Sequence, residues 1–316
     1  MQYRNLGKTG LSVSRICFGS LVMGPLQLKM PVEDGARVMA YAFSQGINFV
    51  DTAEIYGTYE YIKRAINILG DYPVISTKCY AWNRETASAS LEKARKEMNL
   101  DVIDIFMLHE QESEWTLKGH SQAIEYFLEE KQKGKIRAFG VSTHYIEAVR
   151  AAGLMSDIDV IHPLVNMRGL GIQDGTAEEM LAAIEVAHHA GKGIFSMKAL
   201  GGGNLIGEYK QSVDFVKDRP YIDAVAIGMQ CEDEVDVNVA AFEGLEADTG
   251  ILDRLTARNR RVHIDYWCVG CGRCAERCGQ HAIVIGECGR AEIDSAKCVR
   301  CGYCSSVCPE FAIKIH

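Results

Sequence analysis

The stretch NFVDTAEIYG, residues 48–57, shows how this chain is built. Phe49 and Val50 form an apolar run too short for a helix, set between Gly46 and Gly57, and the run empties at once into Asp51 and Tyr56. A short apolar run bounded by turn residues reads as a buried strand. The segment before it, VEDGARVMAYAFSQG (32–46), carries apolar residues at i, i+3 and i+4 and ends at glycine, which reads as an amphipathic helix. Strand and helix therefore adjoin as one unit.

The same unit recurs in both directions. Strand-like runs fall at about 15–20, 47–52, 74–78, 103–109, 136–143, 160–166, 193–200 and 223–229. Among the helical stretches between them are TASASLEKARKEMNL (86–100), SQAIEYFLEEKQKG (121–134) and TAEEMLAAIEVAHHAG (176–191). Eight buried runs, each followed by a helix, predict an α/β fold of the closed (β/α)8 TIM-barrel type rather than an open doubly wound sheet. No G-x-G-x-x-G follows the first run, which also argues against the open nucleotide-binding sheet. The opening QYRNLGKTGLSVS (2–14) predicts a hairpin under the barrel floor. The expected division is a barrel over 1–247, a solvated, arginine-rich linker over 248–263 and a small α+β domain over 264–316.

Nine of the twelve cysteines lie in that last segment. Cys268, Cys271, Cys274 and Cys278 form C-x2-C-x2-C-x3-C, and Cys298, Cys301, Cys304 and Cys308 repeat it, with Pro309 after the second run. Two C-x2-C steps put three thiolates on one tight loop, and the fourth cysteine leaves to serve the other cluster. The spacing thus predicts two 4Fe–4S clusters, one on Cys268, Cys271, Cys274 and Cys308, the other on Cys298, Cys301, Cys304 and Cys278. Zinc would close with four ligands and leave the third cysteine of each run unexplained. Cys288 fits no ligand position and is expected as a buried or free thiol. The segment resembles a bacterial two-cluster ferredoxin domain, with Gly279 where that family usually has proline. Its six acids and six bases balance, so two oxidised clusters would leave it at roughly −4.

A net charge of −8 argues against nucleic acid and anionic membrane as partners. No stretch supplies eighteen apolar residues in a row and the N-terminus has no apolar signal core, so a cytoplasmic protein is expected. There, a cysteine-rich tail reads as metal ligands or redox groups rather than disulfides.

In a (β/α)8 barrel, chemistry sits where strands end at the C-terminal rim. Here those ends carry Asp51 and Tyr56, then Lys78 after VIST, then His109 after DIFML. In these residues, and from LGKTGLSVSRICFGS through GVSTH to GMQ, residues 1–247 resemble the aldo/keto reductases, whose Asp, Tyr, Lys and His tetrad occupies these strand ends in this order. The resemblance implies hydride transfer between NAD(P)H and an aldehyde, a ketone or the corresponding alcohol. Reducing a carbonyl needs a proton for its oxygen, and tyrosine, with a pKa near 10, donates weakly at neutral pH. An ammonium at Lys78, held by Asp51, is expected to lower the Tyr56 pKa, with His109 orienting the carbonyl.

The resemblance also implies cofactor contacts. Ser142 and Asn166 match positions that hold the nicotinamide carboxamide; His162 stands where many members have glutamine, and Met197 where an aromatic stacks on the ring. Lys198 and the glycines of MKALGGGNL (197–205) fall near the pyrophosphate, and Gly228, Met229, Glu234 and Asn238 align with the adenosine end. Glu232, Asp233, Glu234 and Asp236, with no lysine or arginine in 228–238, favour NADH over NADPH. Trp82 and Trp115 are pocket-wall candidates. The function expected is a carbonyl reductase, or its reverse, with an iron–sulfur electron-transfer tail and an external electron carrier. The competing class is an electron-transfer or redox-sensing protein whose barrel binds a ligand without turning it over.

Overall fold

Alternation along a strand sends successive side chains to opposite surfaces, and in a closed barrel those surfaces are the interior and the helical jacket. The structure, a computed structural model, describes residues 1–257, 261–298 and 303–315. Eight strands close the barrel: β3 (Ile16–Gly19), β4 (Phe49–Asp51), β5 (Val74–Cys79), β6 (Ile103–Leu108), β7 (Ile136–Thr143), β8 (Val160–Pro163), β9 (Gly193–Met197) and β10 (Ala224–Gly228). Every neighbouring pair is parallel, and β10 returns to pair with β3. Before them β1 (Tyr3–Asn5) and β2 (Ser12–Ser14) form an antiparallel hairpin. Its Leu6, Leu11 and Val13 join Phe49, Ile105, Met107, Ala138, Val160, Phe195 and Ala224 in the interior cluster, so the hairpin stoppers the floor. The alternate residues Val50, Ile75, Phe106, Phe139, Ile161, Ile194 and Val225 belong to the cluster shared with the helices. Fully burying one such side chain contributes about 1.5–3 kcal/mol.

The jacket is α1 (Val32–Ser44), α2 (Tyr59–Leu69), α3 (Arg84–Met98), α4 (Glu114–Gly119), α5 (Ser121–Gln132), α6 (Ile146–Leu154), α7 (Ala177–His189), α8 (Tyr209–Lys217) and α9 (Glu232–Glu243). Local chemistry sets their ends. Asn83 with Thr86 and Thr176 with Glu179 make reciprocal capping boxes that satisfy the first N–H groups of α3 and α7.

Part of the stretch expected as solvated linker is instead α10 (Thr249–Ala257). Its Arg254 pairs with Asp233 at the start of α9, and its Leu252 and Leu255 turn toward the barrel mouth. Apolar residues at i and i+3 give that segment a face to bury, which its charge count concealed.

The tail holds β11 (Val262–Ile264), α11 (Arg273–Arg277), β12 (Ile283–Ile285), β13 (Ala291–Ile293) and β14 (Ile313–Ile315). β11 pairs antiparallel with β14, and β12 with β13. Cys274, Ile283, Ala291 and Ile313 form a small core of their own. No helix among the described residues is long and apolar enough to cross a membrane.

Candidate active site

The parity that buries Phe49 inside the barrel also sets the direction of Asp51. That residue lies two positions on, so its carboxylate points inward one layer higher. Lys78 stands in the same relation to Ser76, and His109 to Ile105 and Met107. Lys78, 1% exposed, donates to both carboxylate oxygens of Asp51 at 2.7 Å and to the Thr52 carbonyl at 2.8 Å. Its ammonium lies 5.2 Å from the centre of the Tyr56 ring, and that ring meets His109 edge-on at 5.7 Å. The four side chains expected from the strand ends therefore converge.

Their electrostatics derive from burial. Burial raises the Asp51 carboxyl, but Lys78 and then His162 outweigh it and hold it at about 2. His109 is pushed well below the ordinary imidazole value by burial and then by Lys78, so it is neutral at pH 7. The Tyr56 phenol corrects the sequence expectation. It is raised well above 10, by burial first and the Asp51 carboxylate second. An ammonium has three N–H donors, and Lys78 uses all of them on Asp51 and Thr52, so none is left to donate to the phenol.

Beside them, His162 sends Nδ1 to the Phe195 carbonyl at 2.6 Å, and its Nε2 lies 3.6 Å from Asp51. A carbonyl oxygen only accepts, so Nδ1 carries a proton. Tyr80, which the sequence reading did not single out, stacks on His109 at 4.5 Å and donates its hydroxyl to Glu110. Its position immediately after β5 was the available signal.

Above this floor opens a cavity of about 840 Å³, within the range of small-molecule sites. Asp51, Tyr56, His162, Met197, Lys198, Gly228, Glu234 and Asn238 all line it. Three residues expected at the cofactor are not among those lining this cavity. Met229 is fully buried in the helix-side core. Ser142 accepts the Glu110 N–H at 3.0 Å. Asn166 spends its amide on its own loop, accepting from Arg168 and Leu170 N–H and donating to the Leu170 carbonyl. Glu234 accepts the Gln230 N–H at 2.8 Å and so ties the loop before α9 to its first turn. Trp82 and Trp115 are 61% and 74% exposed and are not among the residues lining this cavity.

The tail brings its cysteines to one place. Cys268, Cys271, Cys274 and Cys308 line a single small cavity floored by Ile285, Ala291 and Ile313. Backbone N–H groups of Ala291, Ala312 and Ala282 point at the sulfurs of Cys268, Cys308 and Cys278, at 3.5, 3.3 and 3.4 Å. Thiolate-directed N–H groups are what an anionic cluster needs. Among the described residues no three His, Cys, Asp or Glu side chains meet as a single-ion site requires; these thiols ring a space instead, which suits a cube. Cys278, Cys298 and Cys304 lie in the described tail, whereas Cys301 lies outside the described residues. Cys288 is an exposed free thiol.

The tail also sits on the barrel rim. Phe311 is buried with Leu164 and Met197. Asn204 donates to the Ile313 carbonyl at 3.3 Å, and Gln173 to the Pro309 carbonyl at 3.2 Å. Gly203, at φ +89, lies so close to β14 that a Cβ there would come within 1.8 Å of the Ile315 oxygen. The glycines after β9 thus make room for the tail. Lys314 and Ile315 complete the wall of the 840 Å³ cavity.

With this geometry in place, comparison with known proteins gives the class. The aldo/keto reductase family model matches residues 15–247 and a 4Fe-4S dicluster domain model matches 267–312. L-galactose dehydrogenase of Arabidopsis thaliana is 24% identical over 291 residues, 78% of this chain and 90% of that protein. An aldo-keto reductase of Bacillus subtilis is 28% identical over 185 residues, 53% of this chain and 54% of that one. The holo form of an aldo-keto reductase from Bacillus halodurans shares the fold, with a TM-score of 0.66 at 20% identity over 81% of this chain and 95% of that structure. The chain belongs to the aldo/keto reductase family. It is an oxidoreductase with an iron–sulfur tail.

Proposed function

We propose that this protein is an NAD(P)H-linked carbonyl reductase, working in either direction, with Asp51, Tyr56, Lys78 and His109 as its catalytic residues. The observation that carries the reading is the Lys78–Asp51 pair at 2.7 Å, set under Tyr56 and His109 and opening onto the 840 Å³ cavity. The cavity fits a dinucleotide by size and by its lining. His162 and Met197 would hold the nicotinamide end, Lys198 the phosphates, and Gly228, Glu234 and Asn238 the adenosine end.

When bound, the reduced nicotinamide supplies the hydride that goes to the carbonyl carbon. Tyr56 gives its hydroxyl proton to the carbonyl oxygen, which completes the alcohol and leaves a tyrosinate to be reprotonated from water. Because its pKa is raised, Tyr56 holds that proton through the neutral range until the oxygen develops charge. Lys78 lies close enough to steady the tyrosinate once it forms, and Asp51 keeps the ammonium in place. Neutral His109, whose Nδ1 has no hydrogen-bond partner among the described residues, orients the carbonyl.

The tail carries two 4Fe–4S clusters, on Cys268, Cys271, Cys274 and Cys308 and on Cys298, Cys301, Cys304 and Cys278, and exchanges electrons with an external carrier. Cysteines kept as cluster ligands and thiols, with no disulfide among the described residues, suit the reducing cytoplasm. The test is anaerobic oxidation of NADH and NADPH by a panel of aldehydes and ketones, using the full chain and its Tyr56→Phe variant. Cofactor binding with no turnover on any carbonyl would favour a barrel that only senses its ligand.

A further inference from the structure

The tail contributes a cation to a cavity that the barrel would otherwise own. Lys314, on β14, is 2% exposed and lines that cavity together with Lys198, which follows β9. Both ammoniums face one ring: Lys314 stands 3.7 Å and Lys198 5.2 Å from the centre of Phe311. Lys314 donates to the Phe311 carbonyl and lies 3.4 Å from the carboxylate of buried Asp265. No ion pair joins Lys198 to a carboxylate among the described residues. Asp265 is the one carboxylate paired directly with either ammonium among the described residues, and Glu110 acts on Lys198 only through its field. Direct pairing thus leaves one ammonium unmatched in a wall where water screens poorly.

We propose that Lys314 and Lys198 form a seat for an anionic group of the ligand in the barrel cavity, a phosphate or a carboxylate, so that the iron–sulfur domain is part of that binding site. The seat rests on the cavity reading above but not on carbonyl turnover. Electrostatics agree with it. The Lys314 ammonium is lowered to about 7 by burial and then by Lys198, and the neighbouring His144 is pushed well below its ordinary value by burial and then by the same two lysines. An anion between the lysines removes that mutual repulsion. It also explains why a lysine is carried on a strand that shape alone would fill with an apolar residue, Ile313 and Ile315 being its neighbours.

The test is titration calorimetry on the full, cluster-loaded chain with inorganic pyrophosphate, oxalate, ADP-ribose, adenosine and NADH. Lys314→Met is expected to weaken at least one of the two simple anions tenfold or more while leaving adenosine within twofold, and Lys314→Arg is expected to restore it. Because Lys314→Met takes a cation from beside Asp265, the paired variant Asp265→Asn/Lys314→Met, which leaves the net charge of the wall as in the wild type, must show the same loss. Loss for pyrophosphate and ADP-ribose assigns the seat to the phosphates of a dinucleotide; loss for oxalate alone assigns it to a substrate carboxylate. If pyrophosphate binds through Lys314 and NADH does not bind at all, the reductase reading falls and the seat stands. If both anions bind the variants as they bind the wild type, or do not bind the wild type, the seat is wrong.

Discussion

Replacing Lys78 with methionine isolates what holds the catalytic floor together. Asp51 is 5% exposed, and among the described residues only Lys78 reaches both of its oxygens. Its folded pKa of about 2, against an unfolded value of about 3.9, makes ionised Asp51 worth about 2.6 kcal/mol of stability at neutral pH. The group is depressed on folding, so this stability is fully present above about pH 4 and is lost as pH falls through 2. Lys78→Met removes the cation and strands a buried carboxylate, for which a cost of about 3–5 kcal/mol is expected. The paired variant Asp51→Asn/Lys78→Met removes both charges and should recover more than half of that loss. It will not recover all of it, because the Thr52 carbonyl loses the Lys78 donor, a cost of about 1–3 kcal/mol. The assay is anaerobic urea unfolding followed by far-ultraviolet circular dichroism, comparing midpoints at equal slope. A Lys78→Met protein within 1 kcal/mol of wild type, about the worth of an exposed pair, would refute the reasoning. So would a double variant no more stable than the single one.

The same geometry makes four further outcomes measurable. Tyr56→Phe should lower kcat for carbonyl reduction by about 10²–10⁴ with little change in NADH affinity, measured by steady-state kinetics and fluorescence titration; a near wild-type rate would remove the proton donor. Since burial raises the Tyr56 pKa and reduction needs its protonated form, the reduction rate should be flat from about pH 6 to 9, whereas alcohol oxidation, which needs the tyrosinate, should climb with pH; a reduction profile falling near pH 7 would contradict this. NADH should serve at least as well as NADPH, since Glu234 lines the cavity with no lysine or arginine in 228–238, and a tenfold preference for NADPH in kcat/KM, about 1.4 kcal/mol, would show that another base receives the 2'-phosphate. Anaerobically purified protein should carry about eight iron and eight sulfide per chain by elemental and labile-sulfide analysis, and one zinc per cysteine run without sulfide would end the cluster assignment.

Much of this protein is readable in the chain because its determinants are local. Strand parity alone carries Asp51 inward above Phe49, His109 inward above Met107 and His162 inward above Val160, so a run of five or six residues places a catalytic group without knowledge of its neighbours. The cysteine spacing works in the same way, since three thiols on one loop need no distant partner to be recognised. Charge state and docking are different. The Tyr56 phenol is raised because burial and the nearby Asp51 carboxylate act together, and neither effect is visible in DTAEIYG. Ser142 and Asn166 spend their polar atoms on nearby backbone, which depends on loop paths and not on residue type. The tail's place on the rim rests on pairs far apart in sequence, Asn204 with Ile313, Gly203 with Ile315 and Phe311 with Met197. Periodicity and spacing describe what a segment does to itself. Which surface a finished module covers is decided by shape and charge that exist only once both modules have folded, and that is why Lys314, unremarkable in FAIKIH, became part of the barrel's cavity only in three dimensions.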